Sequence, residues 1–184
     1  MPAAMIDIET LSTRLDTVIL TLGGVKFDPY SKEEPFDPIY LRIDVDEQLA
    51  AGRICDDHTL AWWLKQDPEV REEAIGEEDR IPMLDALKQF HAWVLHTDTI
   101  WSNGSVFDIM IMENFYMMNS WFHPWEHWRI RDVRTVFNMG MSPGTDRDNQ
   151  HNALADADQQ AQGIQHIFSE FGIRPPWETP RRDE

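Results

Sequence analysis

An apolar segment at the start of the chain carries two acidic residues spaced two positions apart. Residues 3–8 are apolar except for Asp7, and Glu9 follows directly. A short apolar run of this kind predicts a buried β-strand, in which side chains two residues apart point to the same face. The fold must therefore accommodate Asp7 and Glu9 side by side on one face of a strand near the N-terminus.

This acidic pair predicts a cation. Neighbouring carboxylates repel each other, and burial raises the free-energy cost of ionising either one. Mg²⁺ and Mn²⁺ prefer oxygen ligands, and Mg²⁺ typically takes one or two protein carboxylates while it keeps water or phosphate oxygens as its other ligands. A hard divalent ion between Asp7 and Glu9 would offset both costs.

A third acidic residue, Asp108, has apolar neighbours on both sides. Residues 99–101 are typical of a strand, residues 102–105 of a turn with a helix cap, and residues 106–112 of a helix that is apolar on nearly every side. The helix dipole favours an acid in the first turn, yet the surroundings predict burial. Asp108 could complete a helix cap or join the other acids.

Near the C-terminus, hydrophobic periodicity predicts a helix over about residues 152–168. Its inward stripe consists of Leu154, Ala157, Ala161, Ile164 and Phe168. Asp156 and Asp158 flank this stripe on opposite sides at similar distances, so the helical period does not choose between them. His151 lies between the helix and residues 138–150, a polar stretch with the composition of a mobile loop. A lone His in such a position is more often a solvated or capping residue than a catalytic one.

Three short motifs resemble those of one enzyme superfamily. Asp7-Ile-Glu-Thr10 after a strand, Asn103-Gly-x-x-Phe-Asp108 midway, and His151-x-x-x-x-Asp156 near the end are similar to the three exonuclease motifs of the DEDD superfamily, in its histidine-bearing DEDDh branch. Within that branch, the chain most resembles a compact group of bacterial and phage exoribonuclease-like proteins. Trp62-Trp63 and residues 131–135 are the features that carry this finer similarity.

The resemblance implies a metal-dependent hydrolysis of phosphodiesters. It identifies Asp7, Glu9, Asp108 and Asp156 as metal ligands and catalytic residues. His151 would be the general base, and Asp158 would be a bystander. Two Mg²⁺ or Mn²⁺ ions, about 3.5–4 Å apart, would clamp the scissile phosphate. An imidazole, whose usual pKa is about 6.5, is suited to accept a proton from the attacking water. The implied products are 5′-mononucleotides released from single-stranded 3′ ends, with RNA favoured over DNA.

Substrate contacts are expected from both the resemblance and the aromatic content. The resemblance points to Thr10 and Leu11, just past the first acids, and to Asn103. The chain contains eight Trp residues, and single strands are often held by bases stacked on aromatic faces. Trp62 and Trp63 lie in a predicted helix, where adjacent side chains point about 100° apart, so one can pack inward while the other faces a cleft. Core packing is the more common role of each.

The charge balance limits the kind of nucleic acid that the protein can bind. With 16 Lys and Arg against 33 Asp and Glu, the formal net charge is −17. Binding of long duplexes is disfavoured, because it requires a basic surface patch. An enzyme that holds only a few terminal nucleotides needs local cations, which bound metals would supply. Arg129, Arg131, Arg134 and Arg147 cluster near the last motif, where they could add to this field or act as ordinary surface counter-charges.

The order of elements predicts an α/β fold. Residues 18–27 and 39–45 continue the first strand in an antiparallel meander, and helices then alternate with shorter strands. The ribonuclease H-like fold implied by the resemblance has this order, with a central mixed five-stranded sheet flanked by helices. We expect a DEDDh exonuclease domain over residues 1–171. The Pro-rich tail, residues 172–184, is expected to be disordered or to lie across a neighbouring subunit.

Composition adds expectations about location and assembly. The single cysteine, Cys55, fits a reducing cytosol, and no segment is long and apolar enough to suggest a membrane partner, so a cytoplasmic protein is expected. A homodimer is compatible with the aromatic connection over residues 121–128. The alternative to an active exonuclease is a catalytically silent protein that binds nucleic-acid ends or other partners on the same fold. An intact set of acids disfavours it, because clustered carboxylates without a cation only destabilise the fold.

Overall fold

The computed structural model describes residues 1–139 and 151–178. Its strands are β1 (Ala3–Thr10), β2 (Ile19–Phe27), β3 (Phe36–Ile43), β4 (Arg80–Ile81), β5 (Ile100–Ser102) and β6 (Ile130–Asp132). Its α-helices are α1 (Val45–Ala50), α2 (Asp57–Trp63), α3 (Pro68–Ile75), α4 (Met83–Val94), α5 (Asp108–Met118), α6 (Val133–Asn138) and α7 (Ala153–Glu170). The predicted loop lies almost entirely outside the described residues, as do Arg147 and the end of the predicted tail.

The strands form one mixed sheet in the order β4-β3-β2-β1-β5-β6. The meander β1-β2-β3 is antiparallel, whereas β5 runs parallel to β1 and β6 runs parallel to β5. The predicted α/β fold with a mixed sheet flanked by helices is confirmed. The sheet has six strands rather than the predicted five, because Arg80 and Ile81 add a two-residue strand parallel to the end of β3. A segment this short carries no readable periodicity.

The alternation of side chains along β1 divides the core into two layers. Ala4, Ile6 and Ile8 pack on one face of the sheet against residues of α4 and α5. Ala3 and Met5 pack on the other face, against the apolar stripe of α7. Because side chains in a strand alternate, Asp7 and Glu9 continue the face that α7 covers.

Acidic residues and an asparagine cap the helices at their N-termini. The side chains of Asp44, Asp56, Asp67, Asp132 and Asn152 accept hydrogen bonds from backbone N–H groups in the first turns of α1, α2, α3, α6 and α7. Each such cap satisfies a donor that the helix leaves unpaired. Part of the acidic excess therefore has a structural role.

Trp177, near the last of the described residues, packs against the connection between β2 and β3. The Trp177 ring lies edge-on to the Tyr30 ring, with centroids 6.1 Å apart, and Tyr30 in turn contacts Phe168 of α7. Part of the predicted tail thus contacts the domain itself. Within the described residues, no helix has both the length and the apolar character that crossing a membrane would require.

Candidate active site

The first two acids lie in the middle of the sheet. β1 pairs on one side with β2, where Asp7 is opposite Gly23 and Glu9 is opposite Thr21, and on the other side with β5. The pairing of β1 with β2 shifts register just after Glu9, which is a β-bulge of the kind often found beside active sites. Both carboxylates are only partly exposed to solvent. A central strand therefore fixes this pair on one face, as the two-residue spacing predicts.

The N-terminus of α7 brings a third carboxylate to this pair. Carboxylate oxygens of Asp7, Glu9 and Asp156 all lie within 4.8 Å of one another. Asp156 is in the first turn of α7, whose start is fixed by the Asn152 cap on the Ala155 N–H. The backbone N–H of His151 donates to Asp156 Oδ2 at 2.9 Å. The structure thus makes the choice between the two acids of α7 that periodicity left open.

Asp158 lies away from this group. Its Oδ2 accepts a hydrogen bond from the side chain of Gln162 at 2.6 Å, one turn further along α7. Burial raises the pKa of Asp158, and the charge of Glu34 adds to this effect. Asp158 is not part of the group formed by Asp7, Glu9 and Asp156.

The fourth acid, Asp108, approaches Asp7 from α5. Asp108 is buried, and its Oδ1 accepts a hydrogen bond from the backbone N–H of Ile8 at 3.2 Å, which fixes it against β1. It is the first residue of α5 and does not cap the helix. After burial, the negative charge of Asp108 is the strongest influence that raises the pKa of Asp7. Asp7 therefore has three acidic neighbours, which are Asp108, Glu9 and Asp156.

The four acids hold their protons far more tightly than isolated carboxylic acids do. Burial, followed by the charges of Asp156 and Asp108, raises the pKa of Glu9 to about 8. Burial also raises the pKa of Asp108 to about 7, and it raises the pKa values of Asp7 and Asp156. The protein alone thus provides too little positive charge to balance this cluster at neutral pH.

This donor set fits a hard divalent cation. Oxygens bound to one octahedral Mg²⁺ at about 2.1 Å lie about 3–4 Å apart. Oxygens of Asp7, Glu9 and Asp156 lie within 4.8 Å, so a small rotation of the side chains would bring them into range. Among the described residues, no other group of His, Cys, Asp or Glu has a comparable arrangement. A cation would also supply the positive charge that the cluster lacks.

His151 is at the edge of the acid cluster, next to an exposed tryptophan. Its backbone has a positive φ of 69°, a conformation that side chains other than Gly seldom adopt. The imidazole is perpendicular to the Trp62 ring, with centroids 4.9 Å apart. Trp62 is 38% exposed. The hydrogen bond from the His151 N–H to Asp156 and the edge-to-face contact with Trp62 hold His151 in this strained backbone conformation.

The other predicted substrate-binding residues differ in how accessible they are. Trp63 is buried, and its Nε1 donates to the Thr10 carbonyl oxygen at 2.9 Å, so it anchors α2 to the end of β1. The Thr10 hydroxyl donates to the Ser12 carbonyl oxygen, and Leu11 packs in the core with Trp63. These three side chains are buried in the structure, and their contact with substrate stays a prediction. Asn103 is half-buried in the turn that precedes α5.

Gly23 is a site residue that the sequence analysis did not identify. A Cβ atom at this position would collide with the backbone of Ala153 and Leu154, at the start of α7. The absence of a side chain therefore lets α7 approach the sheet directly opposite Asp7. The Gly23-Gly24 pair inside a predicted strand was the available signal, since such glycines often mark close contact between backbones.

We expect Gly23→Ala to displace the start of α7 and with it Asp156. Because a displacement of about 1 Å can cost about 100-fold in rate, activity should fall by about that factor. Unfolding experiments should also show a loss of about 1–3 kcal/mol. Gly24→Ala is the matched control, since its Cβ would meet Trp93 and the Met5 carbonyl instead. Gly24→Ala should lose stability but keep its activity per folded molecule. Full activity in Gly23→Ala would contradict the expectation.

Gln160 is the second residue that sequence reasoning missed. Its Nε2 donates to Asp7 Oδ1 at 2.9 Å, and it lies one helical turn after Asp156. Its Oε1 is buried and has no hydrogen-bond partner among the described residues. The hydrogen bond fixes the orientation of the Asp7 carboxylate. A polar residue four positions after Asp156, on the same face of α7, was the signal that could have indicated this contact.

The raised pKa values predict that the metal-free protein loses stability as the pH rises. In the unfolded chain Glu9 ionises near pH 4.5, but in the folded protein its pKa is about 8. Its contribution is fully present below the unfolded pKa and is lost as the pH rises through the folded pKa. In chelator-treated protein, we expect the melting temperature to fall by roughly 5 °C or more between pH 5 and pH 8.

Two controls identify the source of this pH dependence. Glu9→Gln should flatten the decline, because a neutral amide does not titrate. Saturating Mg²⁺ should restore stability strongly at pH 8 and weakly at pH 5. A melting temperature that is constant over this window in the metal-free protein would show that ionisation of these carboxylates does not destabilise the fold.

The fold and the convergence of four acids with a histidine define a class of protein, the DEDDh-type exonucleases on the ribonuclease H-like fold. The chain belongs to the Rv2179c-like 3′-5′ exoribonuclease domain family, whose model matches residues 2–168. A search of curated proteins found no relative of this chain. The family places the protein among the 3′-5′ exonucleases.

Solved structures share the fold at low sequence identity. The nuclease domain of 3′hExo, a DEDDh family member bound to rAMP, is 15% identical with a TM-score of 0.61, and the match covers 92% of each chain. S. pombe Pop2p in a form with bound Mg²⁺ and Mn²⁺ is 13% identical with a TM-score of 0.63, over 93% of this chain and 84% of that one. Exonuclease X in complex with 5′ overhanging duplex DNA is 14% identical with a TM-score of 0.56, over 94% of both.

Proposed function

We propose that the protein hydrolyses single-stranded nucleic acid from its 3′ end and releases 5′-mononucleotides, with RNA preferred over DNA. The observation that carries this proposal is the convergence of Asp7, Glu9 and Asp156, with carboxylate oxygens within 4.8 Å, beside Asp108. Membership of a 3′-5′ exoribonuclease family supports both the direction of cleavage and the preference for RNA.

The four acids are proposed to hold two Mg²⁺ or Mn²⁺ ions. Asp7 would be central to such a site, because carboxylate oxygens of Glu9 and Asp156 lie within 4.8 Å of its own and the charge of Asp108 also acts on it. When bound, such ions activate water and stabilise the charge on the scissile phosphate. The hydrogen bond from Gln160 would keep Asp7 oriented for this role.

His151 is proposed as the general base. The backbone N–H of His151 donates to Asp156, and this closeness supports a role for the imidazole in accepting the proton of the attacking water. Trp62 restricts the orientation of the imidazole from one side. The exposed part of the Trp62 ring also offers a surface on which a terminal base can stack, and Asn103 is the remaining polar candidate for a substrate contact.

A matched pair of 5′-labelled RNA and DNA oligomers of one sequence tests this function. Incubation with Mn²⁺ should shorten the RNA from its 3′ end in single-nucleotide steps and should shorten the DNA more slowly. A chelator should stop both reactions. An oligomer with a blocked 3′ end is the control for direction. Tight binding of ends without cleavage would instead support the silent end-binding protein. The cytoplasmic location and the homodimer stay predictions.

A further inference from the structure

A strongly acidic enzyme needs a fixed positive charge where it binds a polyanion. Three of the four arginines near the last motif lie in the described residues. Arg129 points to the Thr97 carbonyl oxygen, and Arg131 donates to the carbonyl oxygens of Trp128 and Ile130. Arg129 lies just before β6 and Arg131 lies within it. Arg134 follows the end of β6 and is the remaining candidate.

Sheet topology places Arg134 on the same edge as the acids. β1, β5 and β6 run parallel, with Ala4 beside Ile100 and Ser102 beside Asp132. The carboxyl ends of parallel strands meet at one edge of a sheet, which is where α/β proteins bind their ligands. Asp7 and Glu9 are in the carboxyl-terminal half of β1, and α6, which carries Arg134, begins directly after β6.

The guanidinium group of Arg134 is held in position by the turn before α5. Its Nη2 donates to the Asn103 carbonyl oxygen at 2.8 Å. Gly104 has a positive φ of 110°, and a Cβ atom there would be 3.2 Å from Arg134 Nη2. Asp132 Oδ2 accepts the Ser105 N–H at 2.7 Å and ties the start of α6 to the same turn. The cation is therefore positioned in advance of any ligand.

Arg134 has unused donors and acts electrostatically on the acid cluster. Its side chain is exposed, and within the described residues it forms no ion pair with a carboxylate. Its positive charge lowers the pKa of Asp108 against the effect of burial. A guanidinium in this state can donate to a phosphate, for which its planar geometry is well suited.

We propose that Arg134 binds the substrate phosphate that neighbours the scissile one. This inference rests on the proposed function. In cleavage from a 3′ end, a single nucleoside lies on the 3′ side of the scissile bond, so the neighbouring phosphate belongs to the 5′ side. Arg134 is thus a binding residue that favours substrates with at least two phosphates.

Two ribodinucleotides that differ by one phosphate test this role. One carries only the internal phosphodiester, and the other carries a 5′-phosphate in addition. The wild-type enzyme with Mn²⁺ should hydrolyse the 5′-phosphorylated dinucleotide with a kcat/KM about 10-fold higher. Arg134→Gln should remove this preference, measured as the ratio of the two kcat/KM values, whereas Arg134→Lys should keep part of it. Arg131 is a neighbouring exposed arginine. Arg131→Gln is therefore the control and should keep the full preference.

Each outcome decides between the alternatives. A preference that survives in Arg134→Gln would overturn the proposal. Equal losses on both dinucleotides would also overturn it, because they would indicate a structural role in the turn at Asn103. Equal hydrolysis of the two dinucleotides by the wild-type enzyme would do the same. If the wild-type enzyme cleaves neither the dinucleotides nor longer RNA, the proposed function itself is wrong.

Discussion

Asp156→Asn is expected to lower exonuclease activity by about 10³-fold or more, whereas Asp158→Asn should leave it within about 2-fold. Asp156 shares a cluster with Asp7 and Glu9, and an amide at this position removes one of the negative charges that hold the cations. The substitution keeps an oxygen that can accept the His151 N–H, so the start of α7 should remain folded. The loss of activity would then be due to the missing negative charge at residue 156 and not to unfolding of the start of α7.

The two variants form a matched pair on one helix. Their rates on 3′-labelled RNA with saturating Mn²⁺ are to be measured together with Mn²⁺ binding by calorimetry. Asp156→Asn should bind Mn²⁺ more weakly. In the absence of metal it should melt at a higher temperature, because it removes the negative charge that, after burial, contributes most to the raised pKa of Glu9. If both variants retained wild-type rates, the acid cluster would not be the catalytic centre.

His151→Gln is expected to reduce kcat by about 10³-fold while metal binding is preserved, within the usual range for the removal of a general base. The imidazole would accept the proton of the attacking water, and glutamine cannot do so. The hydrogen bond to Asp156 comes from the backbone of residue 151 and does not depend on the side chain. The four acids should therefore keep their arrangement.

His166→Gln is the control for this prediction, since His166 is an exposed residue of α7, the helix that follows His151. Rates on labelled RNA and Mn²⁺ affinity should both equal those of the wild-type enzyme. Single-turnover measurements on His151→Gln separate a slower chemical step from weaker substrate binding. A variant that lost Mn²⁺ binding as well would show that His151 acts through the structure of the metal site, and the general-base role would then be abandoned.

Strong local patterns made most of the fold predictable. The buried strand β1, the antiparallel meander and the long helix α7 were all predicted, because alternation and helical periodicity extend over many residues in them. The short elements α1, α3, α6 and β4 have eight residues or fewer and were not predicted. Their boundaries depend on caps and on contacts with distant strands, which a local window does not contain.

The sequence predicted less of the site than of β1, the strand that carries its first two acids. The sequence by itself placed Asp7 and Glu9 on one face, because side chains two residues apart in a strand must share a face. Helical geometry also allowed one of Trp62 and Trp63 to pack inward while the other faces a cleft, and Trp63 is the buried one.

Only the tertiary structure decided how the site is assembled. The motif resemblance points to Asp156 where helical periodicity leaves Asp158 open, and the structure brings Asp156 to Asp7 and Glu9. Gln160, which holds Asp7, and Gly23, which lets α7 approach the sheet, belong to no motif and were found only in the structure. These outcomes depend on the distance and rotation of α7 relative to β1 and β2, whose residues are more than 100 positions away in the sequence. Helical periodicity gives the angle between side chains on α7, but the direction in which the helix faces is set by the packing of its apolar stripe against β1 and β2.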